Sequence, residues 1–386
     1  MGLPARKNYE TNLTNFQLLI PTYSKTGRSR TSVVNASKTI AWFVFLFIGF
    51  QLFLNYLFAV KFPEFTDPPY SKRIDLLIKR TPILVDIPEN MVVLGSSRSE
   101  LGLNAPLMEN KIIEQLKHPF VAINFSTMAC AQETQLLYWE RILRDYKAPS
   151  MVIIEVLPAY LNRKIGEPGC EFNEIVWPTE KFFYKDLELI EKYASNIRPN
   201  IKSEWLQLSM MAFYKNRSSI LNSIAPSLVP KKFVTDLNHI DKHGQLITGI
   251  ENLSEEQKIK ALEITRAQYF NNVQTMDLDS SRTQALRTLL ESCRKNKVAA
   301  AMLIMPEGPE FRSWYGPGVI TQIENHLFAL SKEFGVKFFN THNWMKEFDF
   351  KDSHHMFEKS SLQFTRRFTN EKIIPWIQDL EKMKSH

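Results

Sequence analysis

The sequence predicts an α/β protein in which one transmembrane helix precedes a doubly wound, five-stranded parallel sheet. Two observations lead to this fold class. Short, almost continuously apolar runs alternate with stretches of helical periodicity, as strands buried on both faces alternate with helices. An uncharged stretch, residues 40–60, comes before all of them.

Residues 40–60 predict the transmembrane anchor, because 21 uncharged residues at 1.5 Å per residue span roughly 30 Å, the thickness of a bilayer core. Trp42 and Tyr56 lie near the two ends, where interfacial aromatics are common. Gln51 and Asn55 share one helix face and either contact a partner helix or are simply tolerated in a single span. The length of the run and the lack of a small-x-small site favour a signal anchor over a cleaved signal peptide.

The positive charge is concentrated before this helix. Residues 1–40 hold six basic residues and one acidic residue, whereas the remaining 346 residues hold 42 basic and 40 acidic ones. The positive-inside rule therefore places the tail, 1–39, in the cytoplasm and residues 61–386 outside it, in a single-pass protein of the inner (plasma) membrane. The nearly neutral main body argues against a nucleic-acid partner.

Five apolar runs predict the strands, at 90–95, 120–124, 150–158, 297–306 and 336–340. Helical patterns between them lie at 105–117, 131–146, 280–296 and 318–334. This alternation predicts a flavodoxin-like domain over 90–386. Residues 61–89, proline-rich at their start, predict a stalk. Residues 159–279 interrupt the alternation and predict a mostly helical insertion, whose last helix has Asn252 or Ser254 as its cap.

The first predicted strand runs directly into Gly95-Ser96-Ser97. The carboxyl ends of strands in an open parallel sheet form the ligand crevice, so these residues lie at its rim. Ser97 is either a nucleophile or a turn serine that caps the next helix. A serine hydroxyl becomes nucleophilic only when a base removes its proton.

A candidate base follows the fifth predicted strand. Asp352 and His355 are separated by two residues, a spacing that sets carboxylate and imidazole side by side in one turn. The carboxylate then holds one ring nitrogen while the other faces the serine. His354 competes for this role at a different angle. The alternative is a solvated loop pair or a helix cap.

These residues resemble the SGNH/GDSL hydrolase superfamily, and most closely its membrane-anchored bacterial branch, which includes D-alanyl transfer and polysaccharide O-acetylation proteins. The resemblance covers roughly 90–158 and 297–370. It implies that Ser97 is the nucleophile, His355 the base and Asp352 the residue that orients the base. It requires no cofactor.

The second block of that superfamily, Asn-x-Gly-x-x-Gly, is similar to residues 124–129, which keep Asn124 but replace both glycines. Asn124 and the Ser126 backbone N–H are therefore expected near the oxyanion. The third block's asparagine has no counterpart after the third strand. Glu307 and Arg312, in the loop after the fourth strand, either contact substrate or form a structural turn.

The remaining reactive side chains carry weaker signals. Arg98 either binds an anionic group or pairs with a nearby acid such as Glu100. Cys130 is expected to pack in the core, and an odd number of cysteines leaves at least one free thiol. The histidines show no metal-ligand spacing, because side chains at adjacent positions such as His354 and His355 diverge, so no metal is expected.

The expected function is that of a membrane-anchored, extracytoplasmic serine acyltransferase or esterase. The resemblance implies O-acyl groups, chiefly acetyl, on an envelope or exported polysaccharide. It also implies a glycan acceptor and a multi-spanning membrane acyltransferase as partners. Simple hydrolysis by the same triad stays open. So does an SGNH-like module without activity that binds glycan or scaffolds an assembly.

Overall fold

A computed structural model describes residues 30–81, 89–163, 179–194, 198–229, 239–247, 252–278 and 281–384. Residues 1–29, which hold most of the basic tail, and Cys170 lie outside the described residues. The described part confirms the α/β fold class: it contains a five-stranded, all-parallel sheet of order β2-β1-β3-β4-β5, the flavodoxin-like order. The strands are β1 (Glu89–Leu94), β2 (Phe120–Asn124), β3 (Met151–Glu155), β4 (Ala299–Ile304) and β5 (Lys337–Asn340).

The helices predicted at 105–117, 131–146, 280–296 and 318–334 are confirmed, and their ends lie within one residue of the predicted bounds. The described residues form fourteen α-helices. They are α1 (Arg30–Val60), α2 (Pro68–Arg80), α3 (Ser97–Gly102), α4 (Ala105–Leu116), α5 (Gln132–Asp145), α6 (Leu187–Ala194), α7 (Ile201–Ser209), α8 (Ala212–Ile224), α9 (Glu255–Val273), α10 (Ser281–Lys295), α11 (Pro309–Ser313), α12 (Val319–Phe334), α13 (Glu358–Phe368) and α14 (Ile374–Lys384). A single π-helical turn, Thr369–Ile373, joins the last two.

The sheet has an apolar layer on each face. Along β1, Val92 and Leu94 face one layer while Met91 and Val93 face the other, as the two-residue period of a strand requires. Helices α2, α5, α10 and α12 cover the first layer, and α4, α13 and α14 cover the second. Burial on both faces explains why the strands read as unbroken apolar runs.

Residues 68–80, part of the segment expected to form a stalk, instead form a helix that packs against the core. Helix α2 begins with two prolines, which suit the first turn of a helix, and its residues Tyr70, Ile74 and Leu77 are buried in the core. Buried Arg73 donates to the Glu100 carboxylate at 2.7 Å and to the Gly244 carbonyl at 3.1 Å. Residues 68–80 are therefore part of the packed body.

The described parts of 159–279 are mostly helical, as α6 to α9. Of the two expected caps, Ser254 is the one used: its hydroxyl accepts from the Gln257 N–H, and the Gln257 side chain accepts from the Ser254 N–H. A short loop, 239–247, runs beside the sheet, where the Asn124 N–H donates to the His243 carbonyl at 2.8 Å. The insertion thereby reaches the end of β2.

Among the described residues, one helix is long and apolar enough to cross a membrane, Val34–Val60 within α1. Of the two amides expected on one face of this helix, Asn55 donates to the Gln51 carbonyl and to the Ser209 carbonyl at the end of α7. The Asn55 side chain thus contacts the insertion.

Buried Arg141 on α5 joins three parts of the chain. Its guanidinium donates to Asp67 at 2.7 Å and to Asp186 at 2.6 Å, and it lies over the rings of Tyr70 and Phe183. Two charged partners at these distances hold the pKa of Arg141 above its ordinary value although burial opposes its charge. Asp67 immediately precedes α2 and Asp186 lies in the insertion.

We expect Arg141→Met to lower the free energy of unfolding by about 3–5 kcal/mol, because it leaves buried Asp67 without its cation and leaves Asp186 with Arg144 alone. Urea unfolding in detergent solution measures this loss. The control is Lys202→Met, which removes an exposed ion pair with Glu191 and should change stability by about 0.5 kcal/mol or less. Equal effects of the two variants would contradict the structural role of Arg141.

Candidate active site

The Ser97 turn lies at the carboxyl end of β1. Ser96 caps α3, with its hydroxyl accepting from the Arg98 N–H at 3.2 Å, and Ser97 is the first residue of the helix. The order β2-β1-β3 reverses the direction of winding beside β1, and such a switch point is where open α/β sheets form their ligand crevice. The turn therefore faces the crevice.

A residue that the sequence analysis missed, Glu155 at the end of β3, fixes this turn. Its side chain is buried, and its carboxylate accepts from the Ser96 N–H at 2.7 Å, the Ser96 hydroxyl at 2.7 Å and the Ser99 N–H at 3.2 Å. The Ser99 hydroxyl also donates to it. Gly95 is required by close approach, because a Cβ there would lie 2.7 Å from Glu155 Cβ.

The three serines of the turn have different surroundings. Ser96 and Ser99 are buried and bonded to Glu155, whereas Ser97 is partly exposed. The Ser97 Oγ lies 2.8 Å from His355 Nε2, across 258 positions of sequence. Ser96, not Ser97, has the capping role that was the alternative for Ser97.

His355 and Asp352 form the other half of the site. His355 Nδ1 lies 2.8 Å from Asp352 Oδ2, so Nδ1 carries the proton toward the carboxylate and Nε2 is left as the acceptor for Ser97. Asp352 Oδ1 also accepts from the N–H groups of His354 at 3.0 Å and of His355 at 2.6 Å. The structure brings together all three residues that the sequence analysis selected.

The carboxylate of Asp352 remains ionised at neutral pH. Burial opposes its charge, but His355 and the backbone donors hold the pKa of Asp352 well below its ordinary value. Thr265, on insertion helix α9, adds a hydroxyl donor 3.2 Å from Asp352 Oδ2. The insertion therefore contributes a contact to the site itself.

A tight loop sets the angle of the two side chains. Ser353, between Asp352 and His354, has a left-handed backbone with φ of 61°, a conformation that costs energy for any residue with a Cβ. Its carbonyl accepts from the Gly308 N–H at 2.8 Å, and its hydroxyl accepts from the Phe311 N–H at 2.9 Å. Neighbouring segments thereby hold the strained turn in place.

His354 points away from the serine into an aromatic cluster. Its ring centroid lies 4.8 Å from that of Tyr269 and 5.1 Å from that of Phe311. Burial, together with the nearby His355 and Arg98 charges, holds the pKa of His354 well below its ordinary value. His354 is therefore a neutral packing residue in the folded protein, and His355 alone faces Ser97.

The expectation that Asn124 and Ser126 contact an oxyanion is corrected by their surroundings, since both are fully buried. Asn124 Nδ2 donates to the Ser99 and Leu103 carbonyls at 3.0 and 3.2 Å, and the Ser126 N–H donates to Asn124 Oδ1 at 2.9 Å. Their polar groups support the serine turn. Ala129, where the resembled block has glycine, has a left-handed backbone with φ of 55°.

Glu307 also has a structural position: its side chain is buried among polar partners and is not exposed to a substrate. It is fully buried and accepts from Arg98 Nη1 at 2.9 Å, His342 Nε2 at 2.6 Å and the Tyr315 hydroxyl at 3.1 Å. Burial opposes its charge, but Arg98 and His342 hold the pKa of Glu307 below its ordinary value. Arg312 donates to the Glu307 carbonyl, so this side chain forms a hydrogen bond within the turn after β4.

The partner expected for Arg98 is also corrected. Arg98 is buried and pairs with Glu307, and its Nη2 donates to the Met305 and Pro306 carbonyls at 3.0 and 2.8 Å. Glu100, the acid expected to pair with it, bonds to Arg73 instead. Arg98 therefore connects the serine turn to the end of β4, next to the His355 loop.

The described residues also include two cysteines and a cluster of titratable side chains. Cys130 and Cys293 are free and buried, and burial raises the pKa of both thiols. A group of two carboxylates and one imidazole, Glu89, His118 and Glu381, lies near the start of β1, at the opposite end of that strand from Ser97.

Fold and site together define a doubly wound α/β protein with a Ser–His–Asp arrangement at the carboxyl edge of its sheet. No protein-family model matches the chain, and no curated protein matches it. Seven chains of solved structures match. One, described as "Crystal Structure of TesA", is 12% identical with a TM-score of 0.33, and the match covers 73% of this chain and 98% of that chain.

We expect Glu155→Gln to lower the free energy of unfolding by about 1–3 kcal/mol, because an amide in place of the carboxylate leaves buried donors of the serine turn unpaired. Urea unfolding measures the change. Glu263→Gln, an exposed position on α9, is the matched control and should change stability by less than about 0.5 kcal/mol. The role assigned to Glu155 is wrong if both variants unfold at the same urea concentration.

We expect the stability of the protein to fall between pH 7 and pH 5, in part because of His354. Its pKa in the folded state lies below the ordinary value, so the unfolded chain takes up the proton first and acid favours unfolding. The limiting contribution is about 1.4 kcal/mol per pH unit below about pH 6.5. His354→Phe should unfold with a smaller pH dependence, measured by urea midpoints at both pH values, and an unchanged dependence would contradict this assignment.

Proposed function

We propose that this chain is a serine-dependent acyl esterase or acyltransferase. The observation that carries the proposal is the continuous hydrogen-bonded series from Ser97 Oγ through the His355 ring to Asp352, with 2.8 Å at each junction. A nucleophile, a base within hydrogen-bonding reach and a group that orients the base are the parts that acyl transfer requires. Partial exposure of Ser97 and His355 lets a substrate reach them.

The reaction follows from the placement of the protons. As Ser97 Oγ bonds to the acyl carbon of an ester, its proton passes to His355 Nε2, and Asp352 stabilises the resulting imidazolium. The bond between the acyl carbon and the leaving oxygen then breaks, and Nε2 returns the proton to that oxygen. Water or a sugar hydroxyl next attacks the acyl-serine, gives its proton to Nε2 and releases Ser97 with its own proton restored.

The Ser97 N–H supplies a donor for the oxyanion. As the first residue of α3, Ser97 has an N–H without an acceptor inside the helix, and it is adjacent to the attacking oxygen. Asn124 and Ser126 are committed to the turn, as described above. An oxyanion site with few donors favours slow hydrolysis, or transfer to an acceptor that the protein holds in place.

The substrate class is the part of the proposal that rests on the resemblance and on α1. We propose O-acyl groups, chiefly acetyl, on an envelope or exported polysaccharide, with the site on the extracytoplasmic side of the inner membrane. A glycan then serves as acceptor. A multi-spanning membrane acyltransferase would supply acyl groups from the cytoplasm. The length and composition of Val34–Val60 support membrane anchorage.

One observation favours a second candidate, an SGNH-like module without activity that binds glycan or scaffolds an assembly. The second-block amide, that of Ser126, is used inside the protein at 2.9 Å from Asn124 Oδ1. A chain that had lost catalysis would be free to use its former oxyanion donors in this way.

We expect a fluorophosphonate probe to label the wild-type chain and not Ser97→Ala, because only the serine beside His355 is activated. Ser313→Ala, which removes an exposed serine on α11, is the control and should label like the wild type. Asp352→Asn should slow labelling by up to about 10⁴-fold, since the imidazole loses its orienting acceptor. Labelling is read by in-gel fluorescence over time.

The outcomes separate the candidates. No labelling of the wild type, or equal labelling of Ser97→Ala, would overturn the enzymatic proposal and favour the binding module. With labelling established, release of acetate from an acetyl ester with and without an acceptor glycan distinguishes hydrolysis from transfer. Transfer requires the glycan, and the amount of acetylated glycan formed then equals the amount of acetyl ester consumed.

A further inference from the structure

The junction of α7 and α8 exposes a cluster of large apolar side chains that the fold does not cover. Each is between 47% and 57% exposed, and together they form what we call the apolar tip: Leu206, Met210, Met211, Phe213 and Tyr214. Single exposed apolar residues are common on protein surfaces, but five within nine positions form a patch of the kind that meets a partner.

We propose that the apolar tip lies in the lipid–water interface of the bilayer, beside the point where α1 leaves the membrane. This inference rests on the membrane anchorage of the proposed function and is independent of the serine chemistry. In this arrangement the insertion contacts the membrane in addition to α1.

Two hydrogen bonds set the level of the tip along α1. Asn55, five residues before the end of α1, donates to the Ser209 carbonyl, the last residue of α7. Thr66, six residues beyond that end, donates to Asn216 Oδ1 on α8 at 3.2 Å. The junction between α7 and α8 is thereby held beside the last turns of the membrane-spanning helix and the residues that follow it.

The length of α1 brings these last turns into the interface. The uncharged stretch 40–60 extends about 30 Å at 1.5 Å per residue, which matches the hydrocarbon core, so the lipid headgroups lie at the level of the residues that follow Val60. Asn55 lies just inside that level and Thr66 just beyond it, so the junction of α7 and α8 to which they bond lies at the interface.

The charge pattern around the tip fits a lipid surface. Residues 205–229 contain no acidic side chain and two basic ones, of which Lys215 is buried and Arg217 is exposed. Glu204, two residues before the tip, is already in an ion pair. The Arg217 guanidinium lies 3.7 Å from the centroid of the Tyr214 ring. Apolar and aromatic side chains next to an exposed cation are typical of segments that lie in a membrane interface and meet anionic headgroups.

Spin labels on the full-length chain in nanodiscs of phosphatidylethanolamine and phosphatidylglycerol test the inference. Met210→Cys places a nitroxide on the tip, in a Cys170→Ser background in which the two remaining cysteines are buried. Phe328→Cys, 52% exposed on α12, is the aqueous control for Met210, which is 57% exposed. Phe45→Cys, in the apolar segment, is the lipid control.

We expect the label at 210 to collide with oxygen more than with a water-soluble nickel chelate, and the label at 328 to do the reverse. Nickel collision at 210 should be at least about fivefold below that at 328, because lipid excludes the chelate. Power-saturation electron paramagnetic resonance measures both collision rates.

Two results would overturn the inference. A label at 210 as accessible to nickel as the label at 328 would place the tip in water. A label at 210 that is immobilised and inaccessible to both reagents would mean that protein, either a second copy or another chain, covers the tip. If the label at 45 also reports water, the membrane anchorage of the proposed function fails as well, whereas probe labelling of Ser97 tests the chemistry separately.

Discussion

A buried carboxylate with four donors around it determines the geometry of the candidate site. Glu155 receives the hydroxyl and amide groups of Ser96 and Ser99, the residues on either side of Ser97 and Arg98. With those residues held, the Ser97 side chain is left pointing out of the turn toward His355. A charge without such donors would not be tolerated at this depth, so the burial of Glu155 and the conformation of the turn require each other.

The opposite half of the site is held from several directions. The His355 loop is bonded to the turn after β4 through Ser353, and that turn is bonded to the serine helix through Arg98 and Glu307. Thr265 approaches Asp352 from the insertion. Segments far apart in sequence thus fix one another, which is how side chains at opposite ends of a domain are kept within hydrogen-bonding distance.

Local sequence pattern was sufficient for the elements but not for most of their polar partners. The five strands and the core helices follow from apolar periodicity, and Ser97, His355 and Asp352 follow from their places at strand ends. The pairing of Arg98 with Glu307 depends on how β1 and β4 lie in the sheet, which spacing does not reveal. The resemblance of residues 124–129 to the second superfamily block implies that Asn124 and Ser126 lie near the oxyanion, but both are buried and bond to other groups of the protein.

Two of these differences had a signal in the sequence. Glu155 is the one charged residue inside the apolar run 150–158, and a carboxylate on a strand buried on both faces must find donors. In the segment expected as a stalk, Tyr70, Ile74 and Leu77 follow a helical period directly after two prolines that suit the start of a helix. The prolines suggest an extended stalk when they are considered without this helical period.

The packing of α2 in the core determines where the chain can be shortened. Only seven residues separate Val60 from Pro68, and Asp67 and Arg73 supply ion pairs to Arg141 and Glu100. A soluble fragment beginning near residue 90 would lose both pairs and part of the apolar layer, whereas one beginning near residue 61 keeps them. The candidate site is consequently joined to α1 through a helix packed in the core and held by two ion pairs, so a cut that separates the site from α1 without removing part of the core has to fall between Val60 and Asp67.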